Sequence, residues 1–319
     1  MRLRAGLLVV GGVAVVACGL DVVGISLPGD AVTATTEGDD AGAPEPERIG
    51  DGSERDDADA APPEETTIDA GPVEAGACGA SVLVDNFAMG LGNWTHYGGV
   101  EQRIAQNNNA YARLIAEGAS SRAAGMFWLP TVKAKAFKAT FAYFVSTPFR
   151  YWYMGDGFTF TWLTSTGGAA LGTGALNGQA LGMQPGVAGY AFALDGWKNT
   201  STGDRDAPSL AFLAIDPSRG NPGSYDWHVA KNGPYYREDL YDAWRTIEIT
   251  VMGGKASARF RFSPTGPLHR LFDDVPVDSS TSGTSDIVAM GFTASTGGSD
   301  AMGFAIDTVS FELIDATCP

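Results

Sequence analysis

The chain has 319 residues, 18% of them charged, and a formal net charge of −16 at pH 7. That balance excludes a nucleic-acid partner, which would need a basic stripe to neutralise phosphates. The three histidines, His96, His228 and His269, are scattered without the spacing of a zinc site.

The first seventeen residues read as a targeting segment. Arg2 and Arg4 make a short basic start, and Leu7 to Ala17 is apolar and small. The run is shorter than the roughly 20 residues a spanning helix needs. It ends in Val15-Val16-Ala17-Cys18, which resembles the lipobox of bacterial lipoproteins. The resemblance implies cleavage before Cys18, diacylation of its thiol, and anchoring to a membrane by the acyl chains. An ordinary secretory signal with Cys18 incidental is the alternative. The residue after the cysteine is Gly19 rather than the Asp associated with inner-membrane retention. The expected location is therefore a bacterial outer membrane or cell surface, facing periplasm or exterior.

Residues 18–77 form an acidic linker. From Gly19 to Ala77 it carries 16 Asp and Glu against Arg48 and Arg55, so it holds nearly all the excess charge of the chain. With few aromatics it cannot bury enough apolar surface to offset chain entropy, and its like charges extend it. Cys78 and Cys318 bracket the remainder, residues 78–319. In an oxidising compartment a disulfide between them would tie the first strand to the last.

Strand patterns dominate this region. Phe137, Ala139, Phe141, Tyr143 and Val145 alternate with Lys138, Thr140, Ala142, Phe144 and Ser146. Phe158, Phe160 and Trp162 alternate with Thr159 and Thr161; Ile247, Ile249 and Val251 with Glu248 and Thr250; Ala258, Phe260 and Phe262 with Arg259 and Arg261. Period two places one set in a core and the other toward solvent or a second sheet. Clusters of Gly, Pro, Asn, Asp and Ser separate the runs. Only Arg237 to Trp244 suggests a helical turn or two. The expected fold is all-β, a two-sheet antiparallel sandwich or jelly roll.

Four short motifs occur in order. They are Gly155-Asp156-Gly157-Phe158-Thr159-Phe160; Ala170-Leu171-Gly172 with the glycines that follow to Gly189; Tyr190-Ala191-Phe192-Ala193-Leu194-Asp195-Gly196-Trp197-Lys198-Asn199; and Val288 to Gly297 followed by Phe304 to Phe311. Together they resemble the L-type (legume-like) lectin domain, over about a quarter of the chain. The resemblance implies a concanavalin A-like sandwich that binds carbohydrate beside a calcium ion. It assigns sugar contacts to Asp156, Gly178 and Asn199. It assigns calcium to Asp195, the Trp197 carbonyl, Asn199 and Asp204, with Asp206 an alternative to Asp204. It further implies a cis peptide at Gly155–Asp156. The chain departs from the legume pattern at Ala193, where a transition-metal Glu is expected, and over Ser209 to Phe212, where a His is. Calcium alone is therefore expected.

The chemistry suits a polyol ligand. A carboxylate accepts from two sugar hydroxyls at once, each charge-assisted bond contributing about 1.5–3 kcal/mol. Calcium takes six to eight oxygen ligands. The plainer readings are that Asp156 opens a strand as a turn residue and that Asp195 to Asn199 is an Asx-rich turn. Tyr225, Trp227, Tyr235 and Tyr236 could stack on a sugar ring or anchor their loop. A related sandwich carries glycoside hydrolases, but no Glu-x-Asp-x-x-Glu run is present, and Glu101, Glu117, Glu238, Glu248 and Glu312 stand isolated. A binder rather than an enzyme is the expectation, with an adhesive sandwich that contacts protein or matrix, or a divergent glycosidase, as alternatives.

Overall fold

The computed structural model describes residues 81–105, 107–147, 155–197, 207–216, 228–233, 235–262, 266–277, 285–298 and 302–318. Cys18, the acidic linker and Cys78 lie outside them. Among the described residues the strands are β1 (Val82–Asp85), β2 (Thr95–Tyr97), β3 (Glu101–Ile104), β4 (Ala110–Ile115), β5 (Ala123–Trp128), β6 (Ala136–Ser146), β7 (Gly157–Ser165) and β8 (Ala188–Asp195). They continue with β9 (Ser209–Ile215), β10 (His228–Asn232), β11 (Arg245–Met252), β12 (Lys255–Arg261), β13 (His269–Pro276), β14 (Ala289–Ser295) and β15 (Gly303–Ile314). A 3-10 turn spans Gly178–Ala180, and one helical turn, α1, spans Arg237–Leu240.

Two antiparallel sheets result. The first runs β13-β12-β11-β6-β15-β4-β3, and the second runs β10-β9-β8-β7-β14-β5-β2. β15 is the longest strand and organises the first sheet. One of its edges pairs with β6 along its whole length. Its other edge is divided, with Phe304 to Ile306 against β4 and Val309 to Glu312 against β1. The first and last strands are thus neighbours, as expected for a fold whose ends close together. Cys318 is disulfide-bonded.

The alternating residues explain the packing. Phe137, Ala139, Phe141, Tyr143 and Val145 on β6 are fully buried, and so are Ile247, Ile249, Ala258 and Phe260 on β11 and β12. From the opposite sheet Phe160 meets Phe141 and Phe311, each with ring centroids 5.3 Å apart, and it also meets its own sheet's Phe292 at 5.6 Å. Such tilted aromatic contacts add to the area buried. The short helix is held from below: Tyr143 Oη donates to the Leu240 carbonyl, and Arg245 donates to the carbonyls of Asp239 and Glu238.

The second sheet departs from the simple pattern of one wet face. Thr159 and Thr161 are fully buried although they point away from the core. Residues of the glycine-rich segment cover that outer face, where Leu181, Met183 and Val187 form a second apolar cluster with Ala191, Ala193, Ala211 and Ala289. Ala191 and Ala193 of β8 and Ala211 of β9 are small outward residues, so a loop can lie close against the sheet there.

Candidate functional site

Strand register brings the predicted loops to one end of the second sheet. Gly157 pairs with both Asp195 and Ser295, and Asp195 pairs in turn with Ser209. The residue before Gly157 is therefore fixed from two sides: Asp156 N donates to the Ser295 carbonyl at 3.2 Å, and Gly196 N donates to the Asp156 carbonyl at 2.7 Å. The Gly155–Asp156 peptide is cis, as the resemblance implied. Gly155 packs so tightly on Trp197 that a Cβ there would lie 2.6 Å from the Trp197 Cβ, which admits no side chain.

The Asp156 carboxyl lies in a narrow slot. The residue is only 5% exposed, and its Oδ2 is buried without a hydrogen-bond partner. Two glycines form the walls: a Cβ on Gly178 or on Gly297 would each come within 3.5 Å of Oδ2. Loss of solvent raises the carboxyl from 3.8 to about 6. Buried polar atoms in folded proteins nearly always have partners, so this oxygen is the one group of the slot with capacity to accept from an added donor. The predicted sugar contacts Asp156 and Gly178 are thus adjacent, whereas Asn199 lies outside the described residues.

Sequence reasoning missed the parts that hold this slot in shape. Ser295 Oγ donates to the Gly178 carbonyl at 2.6 Å, and Thr293 Oγ1 donates to the Leu181 carbonyl at 2.7 Å. Thr293 is also 2.7 Å from Thr159 Oγ1, which is 2.7 Å from Thr161 Oγ1. Because a carbonyl can only accept, the protons of this buried row run from Thr161 through Thr159 and Thr293 to Leu181. Tyr97 Oη adds a bond to the Gly182 carbonyl at 2.8 Å. The available signal was the pair Thr-x-Thr on β7 and Thr-x-Ser on β14, whose hydroxyls pattern like a wet face. Thr293→Val would leave the Leu181 carbonyl without its side-chain donor and the Thr159 hydroxyl without the acceptor it has in Thr293. The expected result is a loss of about 1–3 kcal/mol of unfolding free energy in urea melts, with faster amide exchange at residues 178–183.

The expected calcium ligands are partly in place. Asp195 is 7% exposed at the end of β8, and its Oδ1 accepts from Trp197 N at 3.2 Å. Asp204 and Asp206, like Asn199, lie outside the described residues. Across from Asp195, Ser209 Oγ is fully buried without a hydrogen-bond partner. Ala193 and its partner Ala211 contribute no donor. Among the described residues no group of three His, Cys, Asp or Glu forms a metal cluster. What is present, a buried carboxylate whose cross-strand partner carries an unpaired hydroxyl, offers oxygen donors only. That chemistry fits a hard cation such as calcium and does not suit zinc.

The loop aromatics are divided. Tyr225 and Trp227 lie outside the described residues. Tyr235 packs on the core, and its N donates to the Pro208 carbonyl. Burial, with a smaller contribution from Asp239, pushes its phenol up to about 12. Tyr235 is therefore an anchor, while Tyr236 is 44% exposed.

No family model and no curated protein matches the chain. Solved structures do. The exoplasmic/lumenal domain of VIP36 in its Ca2+/Man-bound form is 16% identical, with a TM-score of 0.57 over 74% of this chain and 90% of that one. Winged bean acidic lectin complexed with methyl-α-D-galactose is also 16% identical, with a TM-score of 0.57 over 73% of this chain and 100% of that one. Peanut lectin with a 9mer peptide is 14% identical, with a TM-score of 0.53 over 74% and 97%. At these identities the likeness is one of fold: the chain has the two-sheet sandwich of legume-type lectins.

Proposed function

We propose that this chain is a carbohydrate-binding protein of lectin type whose glycan site is the slot at Asp156. One observation carries the reading, the buried Oδ2 of Asp156, unpaired and flanked by Gly178 and Gly297. A sugar hydroxyl is small enough for a slot with glycine walls and supplies the donor that the carboxylate lacks. The lectin fold of solved neighbours described with mannose or galactoside supports the same reading. Asn199 completes the sugar contacts. Asp195, the Trp197 carbonyl, Asn199 and Asp204 hold calcium, which when bound supplies a fixed, oxygen-coordinated positive charge that stiffens the rim. Cys78 is the disulfide partner of Cys318. The diacylated Cys18 and the acidic linker present the domain at a bacterial outer membrane or cell surface.

A glycan array read with calcium and again with EDTA tests the proposal. Binding to a defined set of glycans, lost with EDTA and restored by calcium, is expected. No glycan binding in calcium, or binding indifferent to Asp156→Ala, would overturn it. Incubation with a polysaccharide panel is expected to release no reducing ends, as for a binder without a hydrolytic carboxylate pair.

A further inference from the structure

A second concavity lies on the outer face of the other sheet. It encloses about 330 Å³, within the range of small-molecule sites. Its floor is made of small outward residues of β15, Gly303 and Ala305, which sit opposite Ser146 and Phe144 of β6. Three aromatic side chains rise around that floor. Trp244 lies 5.4 Å from Phe144 and 5.9 Å from Tyr111 by ring centroids, tilted 52° to the first and 70° to the second. All three line the cavity and none is fully buried, so aromatic surface faces the opening.

The polar groups are Arg113 and Glu117, with the Ser146 hydroxyl between the strands. Arg113 is held at its far side by Glu101, to which it donates from Nε at 2.9 Å, and Arg103 pairs with the same carboxylate. The hydrogen bond from Arg113 keeps the Glu101 carboxyl below its ordinary range. Glu117 is exposed and makes no ion pair among the described residues. Two guanidinium groups and two carboxylates cancel, so the mouth carries no net charge with which to select an ion. Aromatic faces suit the C–H face of a pyranose, and a fixed guanidinium beside a free carboxylate can donate to and accept from neighbouring hydroxyls.

We infer that this cavity is a second carbohydrate site, binding a single neutral pyranose ring against Trp244, with Arg113 and Glu117 reading its hydroxyls. It is lined by residues of β4, β6 and β15 together with Ala105, Glu117 and Trp244, none of which touches the Asp156 carboxyl, and it stands whether or not that slot binds sugar.

The test uses the domain with Asp156→Asn in place, so that the first site is disabled. Saturation-transfer NMR is run with the methyl glycosides of glucose, galactose, mannose and N-acetylglucosamine, with tetramethylammonium and indole as controls. At least one glycoside is expected to receive saturation. Its affinity should fall at least tenfold with Trp244→Ala and at least tenfold with Glu117→Gln, an exposed change that leaves the fold intact by thermal melting. Absence of transfer to every glycoside overturns the inference, as does transfer unchanged by both substitutions. Binding of tetramethylammonium or indole in place of the glycosides overturns it too, identifying a cation or aromatic site. A result in which Asp156→Asn alone abolishes all glycan binding removes the second site and leaves the first.

Discussion

Asp156→Asn is expected to stabilise the cation-free, sugar-free protein while destroying its affinity for glycans. Burial raises the carboxyl from 3.8 to about 6, so between those values the folded protein keeps a proton that the unfolded chain has already lost. Stability therefore falls as pH rises through this window, and the penalty is complete above about pH 6. The interval corresponds to about 3 kcal/mol at about 1.4 kcal/mol for each tenfold change. Asparagine has nearly the same shape and no charge. Urea melts at pH 7.5 should show the variant more stable by up to about 3 kcal/mol, and the difference should vanish near pH 4. The variant should also lose the downward slope between these limits. A variant less stable than the parent at pH 7.5 would mean that Asp156 has a partner when folded. Glycan affinity moves the other way. Loss of charge-assisted bonds of about 1.5–3 kcal/mol each implies a fall of tenfold or more. A substitution that strengthens the fold and abolishes binding is the signature of a residue kept for its ligand.

Gly297→Ala should have the cleaner phenotype. Its new methyl would sit 3.5 Å from Asp156 Oδ2 and 3.7 Å from Oδ1, which is ordinary contact, so the fold has no need to shift. The backbone of Gly297 is also not among the left-handed positions. Unfolding free energy should stay within about 0.5 kcal/mol of the parent. The methyl nevertheless occupies the space through which a hydroxyl would reach Asp156 Oδ2. Binding by titration calorimetry should weaken by about 100-fold or more, equivalent to about 3 kcal/mol. Gly178→Ala makes the useful contrast. That position has φ +68°, where a Cβ brings strain, so both stability and binding should fall. If Gly297→Ala binds normally, the ligand does not enter between the two glycines.

Much of the architecture was legible because strands declare themselves by period two. The β6 set from Phe137 to Val145 and the pairs on β11 and β12 face inward as read, since their partners Lys138, Glu248 and Arg259 are unmistakably polar. The same rule misjudged Thr159 and Thr161. A threonine on the outer face of a sheet looks identical whether water or a loop covers it, and the covering segment from Thr166 to Val187 has too many glycines to show any periodicity. For the site, the conjunction of Asp156 with Gly178 came only from the family resemblance. The spacing of 22 residues between them contains nothing that requires contact. Gly297 was visible as the last residue of the fourth motif but not as a wall, because its role depends on β14 pairing beside β7. Trp244 was read as the end of a short helix. Its place among Tyr111 and Phe144 depends on β15 lying between β4 and β6, a long-range arrangement that local pattern does not encode.

The alanines beneath the covering loop act as a spacer of fixed thickness. Ala191, Ala193 and Ala211 set how far Leu181 and Met183 stand above the sheet, and with them the height at which Gly178 faces Asp156. Exchanging one of them for valine would jack the loop upward by part of a methyl diameter without touching any group that meets the ligand. The aperture of the slot can thus be tuned from underneath, which offers a route to altered selectivity that leaves every contacting residue as it is.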